Sequence, residues 1–191
     1  MRSTLDKLLS WFGLAAALIL LVAGGLLTWA NGFIGDQVAQ QFGDQQITMP
    51  TTEMIDGDEG LSATDKTELK KYQGSKLDSG PEAKAYADHY ILAHMNHSTG
   101  GETYSTLGPK VTEACGVNRE NADSEECIAV NAQRDTAFKG STLRGLLLYG
   151  YAFATMGTIA GIAAIGAFIG ALLMLVLSFL GFRHAKQAQT A

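Results

Sequence analysis

Apolar residues are concentrated in two runs, and the stretch between them is patterned differently. From Lys7 to Asp36 no charged residue intervenes, and the core of this run, WFGLAAALILLVAGGLLTWA (Trp11 to Ala30), supplies the roughly 20 apolar residues needed to cross a bilayer core about 30 Å thick. The second run, Gly145 to Phe182, is also uncharged. At about 1.5 Å per residue it would outreach one membrane thickness. The first run is longer than a signal-peptide core of about 7 to 15 residues, and Thr28-Trp29-Ala30 is a poor small-residue cleavage site. It is therefore expected to be retained as an anchor.

The intervening stretch carries short amphipathic patterns. Gly35 to Pro50 opens as a short polar helix, with Val38 and Phe42 four apart, and ends as an extended ITMP. TTEMIDGDEGLS is acidic and predicts a solvated turn. Asp56, Asp58 and Glu59 resemble the start of a calcium loop, but the glycine at position six is missing and Thr67 stands where a bidentate glutamate closes such loops. Ser62 to Gln73 predicts a helix with its acids early and its lysines late, as the helix dipole favours. The clearest helix start is DSGPE, with Ser79 as N-cap, Pro81 in the first turn and Glu82 closing a capping box. This helix should run to about Ser98 and stop at Gly100-Gly101, with a stripe of Ala83, Tyr86, Tyr90, Ala93 or His94, and His97. A last helix, starting near Ser124, has no breaker before the second apolar run. It is expected to continue into it, with the other helices packed around it.

The spacing therefore predicts a mainly α fold: a two-span transmembrane helical hairpin with a small helical extracytoplasmic domain inserted between the spans. The segments are a cytoplasmic tail (1–7), transmembrane helix 1 (8–34), the extracytoplasmic domain (35–144), a long transmembrane helix 2 (145–182) and a second cytoplasmic tail (183–191). Charge sets the orientation. Arg2, Lys7, Arg183 and Lys186 against Asp6 give the tails +3, whereas residues 31–144 carry ten Lys/Arg against eighteen Asp/Glu, a net −8. Basic tails stay in the cytoplasm, so both termini are placed there in a cell membrane. An outer domain this acidic suits basic partners and is a poor binder of nucleic acid.

Cys115 and Cys127 are the only cysteines and bracket a hydrophilic loop, GVNRENADSEE. An even count in an outer compartment predicts a structural disulfide, and the C-x-x-C spacing of zinc and redox sites is missing.

Candidate packing surfaces are glycines. Gly157-x-x-x-Gly161 and Gly166-x-x-x-Gly170 in the second run, and Gly24-Gly25 in the first, let helix backbones approach closely in lipid. Nine residues from 157 to 166 turn a helix by about 180°, so one face is expected to serve the hairpin and the other a partner. Neither run contains an ionisable residue, which argues against a transporter or proton channel.

Candidate chemistry is limited to DHYILAHMNH, where His89, His94 and His97 crowd one helix. On an ideal helix His94 and His97 share a face and His89 lies about 140° from His94. A metal-dependent, membrane-anchored enzyme or sensor using His94 and His97 is the alternative function. The simpler expectation is that both histidines cap the helix end or meet a partner. There is no G-x-S-x-G, no free thiolate and no phosphate loop. No catalytic residue, metal or cofactor is assigned, and the chain is read as non-enzymatic.

Two longer strings carry a resemblance. TGGETYSTL (Thr99 to Leu107), just after a helix that ends in a histidine, and NAQRDTAFKGSTLRGLLLYGYAF (Asn131 to Phe153), entering the second run, resemble a family of two-span actinobacterial membrane proteins with a TGG-[KE]-TY motif. The extended ITMP fits as well. The loop between Cys115 and Cys127 departs from the family's shorter members. Some members bear the name of aromatic-ring-opening dioxygenases, a chemistry the residues here do not support. The chain is also similar to the small accessory subunits of the actinobacterial respiratory supercomplex, formed by a cytochrome bc-type complex and cytochrome oxidase. That likeness implies an accessory or assembly subunit whose partners are the lipid bilayer and the integral subunits of a larger electron-transport complex.

Overall fold

The computed structural model describes residues 2–190, and their side chains from Ser3 to Gln187. Met1, Ala191 and the side chain of Arg2, all assigned above to the two tails, lie outside the described residues. Helices account for most of the described chain. In order they are α1 (Arg2–Asp44), α2 (Thr52–Gly57), α3 (Ala63–Lys70), α4 (Gly80–Ala85), α5 (Leu92–Thr99), α6 (Tyr104–Cys115) and α7 (Glu125–Thr190). A π-helical segment, Tyr86–Ile91, joins α4 to α5 without a break. Among the described residues no strand forms; Thr48 and Lys76 make one isolated antiparallel bridge. α1 and α7 are both long and apolar enough to cross a membrane.

The chain divides into two compact units. The first comprises residues 2–37 and 155–190. In it the two long helices pack antiparallel. Leu20 meets Gly170, Asn31 meets Gly161 and Ile34 meets Gly157, so the residue numbers of facing positions add to a nearly constant value. The seam repeats every seven residues. On α1 it passes through Ser3, Ser10, Ala17, Gly24 and Asn31, of which the middle three are buried and the end two half-buried; on α7 it passes through Gly157, Ala164, Ala171, Ser178 and Ala185, each buried. A seven-residue period gives 3.5 residues per turn, the repeat of left-handed supercoiling, and small residues at every step bring the backbones close. The large side chains point away: Leu18, Ile19, Val22, Ile159, Ile162 and Ile165 are exposed. Polar groups on the seam turn inward, with Asn31 Nδ2 donating to Gly157 O at 2.7 Å and Ser10 Oγ donating to Asp6 O at 2.7 Å.

The second unit comprises residues 38–154. Its axis is the first part of α7, whose buried positions Cys127, Val130, Ala137 and Leu147 recur at helical spacing. Three segments lie along it. The end of α1 places Phe42 against Gly150, α5 places Met95 against Gly140, and α6 joins Leu107 to Val130 and Ala137 in one cluster. Met49, Ile55, Leu61, Leu69 and Leu77, from the short elements between α1 and α4, complete the buried set.

Several elements differ from the sequence expectation. The polar segment after Gly35 is no separate helix but the last turns of α1, because stopping and renucleating a helix costs more than propagating it. TTEMIDGDEGLS is not all turn. Thr51 accepts a hydrogen bond from Met54 N and starts α2, which buries Ile55. α6 lies in a stretch to which the sequence patterning assigned no helix. It starts from a Thr103/Thr106 capping box and tolerates Pro109 near its beginning. The Ser79/Glu82 box and the glycine stop are present, with Gly100 in the left-handed region at φ 65°.

Candidate functional site

The π segment changes where the histidines point. An i→i+5 turn is wider than an α turn, so residues beyond it are rotated relative to an ideal helix. His89 and His94, expected on different faces, both reach the α2–α3 segment. His89 Nδ1 lies 2.8 Å from Asp65 Oδ1, and His94 Nε2 lies 2.8 Å from Asp58 Oδ2. They do not converge on one point, since each has its own carboxylate. His97 is exposed and its ring stands beside Gly60. The pairing of His94 with His97, expected from an ideal helix, is replaced by this double contact across segments.

His94 is held at both nitrogens. Its Nδ1 is 2.7 Å from Tyr90 O, and its ring packs 4.3 Å from the Tyr90 ring, which stacks in turn on Tyr86. A carbonyl and a carboxylate both accept, and a neutral imidazole has one N–H. Both contacts are hydrogen bonds only when the ring carries both protons.

Four carboxylates on and beside this helix are held below their ordinary range. For Asp58, burial works upward, but hydrogen bonds from Gly60 N and His94 outweigh it. Asp65 follows the same pattern, with burial opposed by Ser62 and His89. Glu82 is the most enclosed of them. Burial raises it, and hydrogen bonds from Ser75 Oγ, Ser79 Oγ and the amides of Asp78 and Ser79 outweigh that and lower it. Asp88 bridges Lys84 at 2.5 Å and Arg144 of α7 at 2.8 Å, which offsets its burial. Asp58, considered at first only as a calcium ligand, is committed to Gly60 and His94. Among the described residues no three His, Cys, Asp or Glu side chains gather to hold a metal.

Cys115 and Cys127 are joined by a disulfide that ties the end of α6 to the start of α7. Asn131 covers it, donating from Nδ2 to Cys127 O at 2.9 Å with both sulfurs close by. One turn further on, the Arg134 guanidinium stacks 4.2 Å over the Tyr104 ring, and Tyr104 packs against Phe138 at 5.7 Å. The two strings singled out in the sequence thus meet, TGGETYSTL through α6 and NAQRDTAFKG through α7. Single-sequence patterning left Arg134 and Tyr104 unnoticed, although their spacing from the cysteines placed them on one side of their helices.

The candidate packing glycines separate into two groups. A Cβ at Gly24 would lie 2.9 Å from Phe168, one at Gly157 3.0 Å from Ile34, one at Gly161 3.0 Å from Asn31 and one at Gly170 3.3 Å from Leu20. All four sit inside the antiparallel pair. At Gly25 and Gly166 a Cβ would meet nothing within 4 Å.

No known family, no curated protein and no solved structure matches the chain.

Proposed function

We propose that the chain is a non-enzymatic accessory or assembly subunit of a larger membrane complex. In this reading α1 and α7 form a transmembrane hairpin with both termini in the cytoplasm, and the unit 38–154 stands outside the membrane. The observation that carries it is the sealed seam of the first unit. Small residues fill the face between the helices, leaving large apolar side chains and the open glycines Gly25 and Gly166 on the outside. That outer surface suits lipid and the spans of neighbouring subunits, where close backbone approach replaces a hydrophobic driving force. The net −8 of residues 31–144 suits a basic neighbour on the outer side. The resemblance to two-span actinobacterial proteins and to respiratory accessory subunits directs the search first to the cytochrome bc-type complex and cytochrome oxidase.

Affinity purification of the tagged full-length chain from membranes in a mild detergent tests the reading. A larger membrane complex should co-elute in constant proportion, with haem absorbance if it is a respiratory oxidoreductase. Elution of the chain by itself from membranes that contain those complexes would overturn it.

A further inference from the structure

We propose that Arg134, Tyr104 and Phe138 form a docking patch for a carboxylate side chain carried on a basic, aromatic-containing segment of a protein partner. The patch is a cleft lined by Tyr104, Asn131, Arg134, Asp135 and Phe138, with a volume of about 270 Å³. Its centre is a guanidinium without an acceptor. Arg134 Nε is buried with no hydrogen-bond partner, and no carboxylate comes within ion-pair distance of the side chain among the described residues. The adjacent acid is otherwise engaged, since Asp135 pairs with Lys139 at 2.6 Å.

The guanidinium carbon lies 4.2 Å from the Tyr104 ring centroid, and a guanidinium carries paired N–H donors that match a carboxylate in a fork. A buried donor without an acceptor costs about 1–3 kcal/mol, and the Tyr104 ring beneath the guanidinium supplies no such acceptor. Tyr104 and Phe138 flank it while 44% and 53% exposed, which gives an entering segment aromatic surface beside the charge. Exposed Tyr and Arg beside apolar rings are the residues that dominate binding energy at protein interfaces. Asn131 is pinned to the disulfide, so the floor of the cleft is fixed.

Charge selects the kind of partner. A polyanionic surface is repelled by a region of net −8, whereas a basic segment is drawn in and can seat one carboxylate on Arg134. The identity of the occupant rests on the accessory-subunit reading. The test does not, so the two can fail separately.

The test is an NMR titration of the full-length chain in detergent micelles, following the Arg134 side-chain N–H and the Tyr104 and Phe138 ring signals. The probes are acetyl-Lys-Phe-Asp-amide, its Asn counterpart acetyl-Lys-Phe-Asn-amide, and nanodiscs of phosphatidylglycerol. The Asp peptide should shift all three residues and bind at least tenfold more tightly than the Asn peptide, and Arg134→Gln should remove that difference. If Arg134→Gln disperses the Leu107 and Val130 methyl signals by unfolding the unit, Arg134→Lys, which keeps the charge and loses the fork, carries the same comparison. Equal binding of the two peptides, no binding of either, or discrimination retained in the variant overturns the proposal. Shifts caused by the nanodiscs and not by the Asp peptide overturn it in favour of a membrane headgroup.

Discussion

The two units of this chain are held together by opposite means. The first uses a seven-residue repeat of Ser, Ala, Gly and one Asn at five positions on each helix, with hardly a charged group in it. The second uses capped helices of six to twelve residues, a disulfide and a set of ion pairs centred on Asp58, Asp65, Asp88 and Arg144. One is a problem of shape and the other of polar satisfaction. Substitutions that add bulk should therefore damage the first unit and leave the second intact, while reduction and changes of pH should do the reverse.

The largest expected effect is on the second unit. Opening Cys115–Cys127, whose sequence separation is 12, should cost about 3 kcal/mol in the chain-entropy account. Denaturant unfolding of the full chain with and without a reductant, followed by Phe138 and Tyr104 fluorescence and near-UV signals, measures it. The helical signal of the apolar pair should be unchanged.

Next comes the reciprocal test on the first unit. Gly24→Leu forces a side chain into Phe168 and should weaken the pair by about 1–3 kcal/mol or more, whereas Gly25→Leu, facing open space, should stay within about 0.5 kcal/mol. Unfolding in mixed detergent and SDS would register both. Equal losses would contradict the assignment of faces.

The second unit should respond to acid through its carboxylates. Asp58, Asp65, Glu82 and Asp88 have folded-state pKa values depressed below their unfolded ones. Their contribution is thus present above the ordinary carboxylate range, near 4, and lost as pH falls through the depressed values. Amide exchange in α2 and α3, corrected for its intrinsic pH dependence, should accelerate as pH falls below the ordinary carboxylate range. The smallest effect expected is from Thr103→Ala, about 1 kcal/mol through loss of the α6 cap, read from exchange of the α6 amides.

The contrast also explains what the sequence made legible. Both apolar helices, the Ser79 start, the Gly100 stop and the pairing of the two cysteines follow from local signals of composition, capping and count. The seven-residue seam is present in the sequence as well, but small residues score weakly for hydrophobicity, and Gly-x-x-x-Gly spacing does not follow it. Gly166 and Gly170 therefore share a motif but not a face, since Gly170 meets Leu20 while Gly166 faces outward. The histidine contacts were illegible for a different reason. The π segment breaks the 100° arithmetic, and nothing in YADHYI announces it. Asp58 and Asp65 reach His94 and His89 across 36 and 24 residues, a pairing that only the tertiary fold brings about.

The most direct test of the accessory-subunit account is photo-crosslinking from the open glycines. With a photoreactive residue at Gly166 or Gly25 in the full-length chain and illumination of intact membranes, the account predicts a discrete adduct larger than the 20.3 kDa chain, containing an integral subunit of another protein. Adducts to lipid alone at both positions would contradict it.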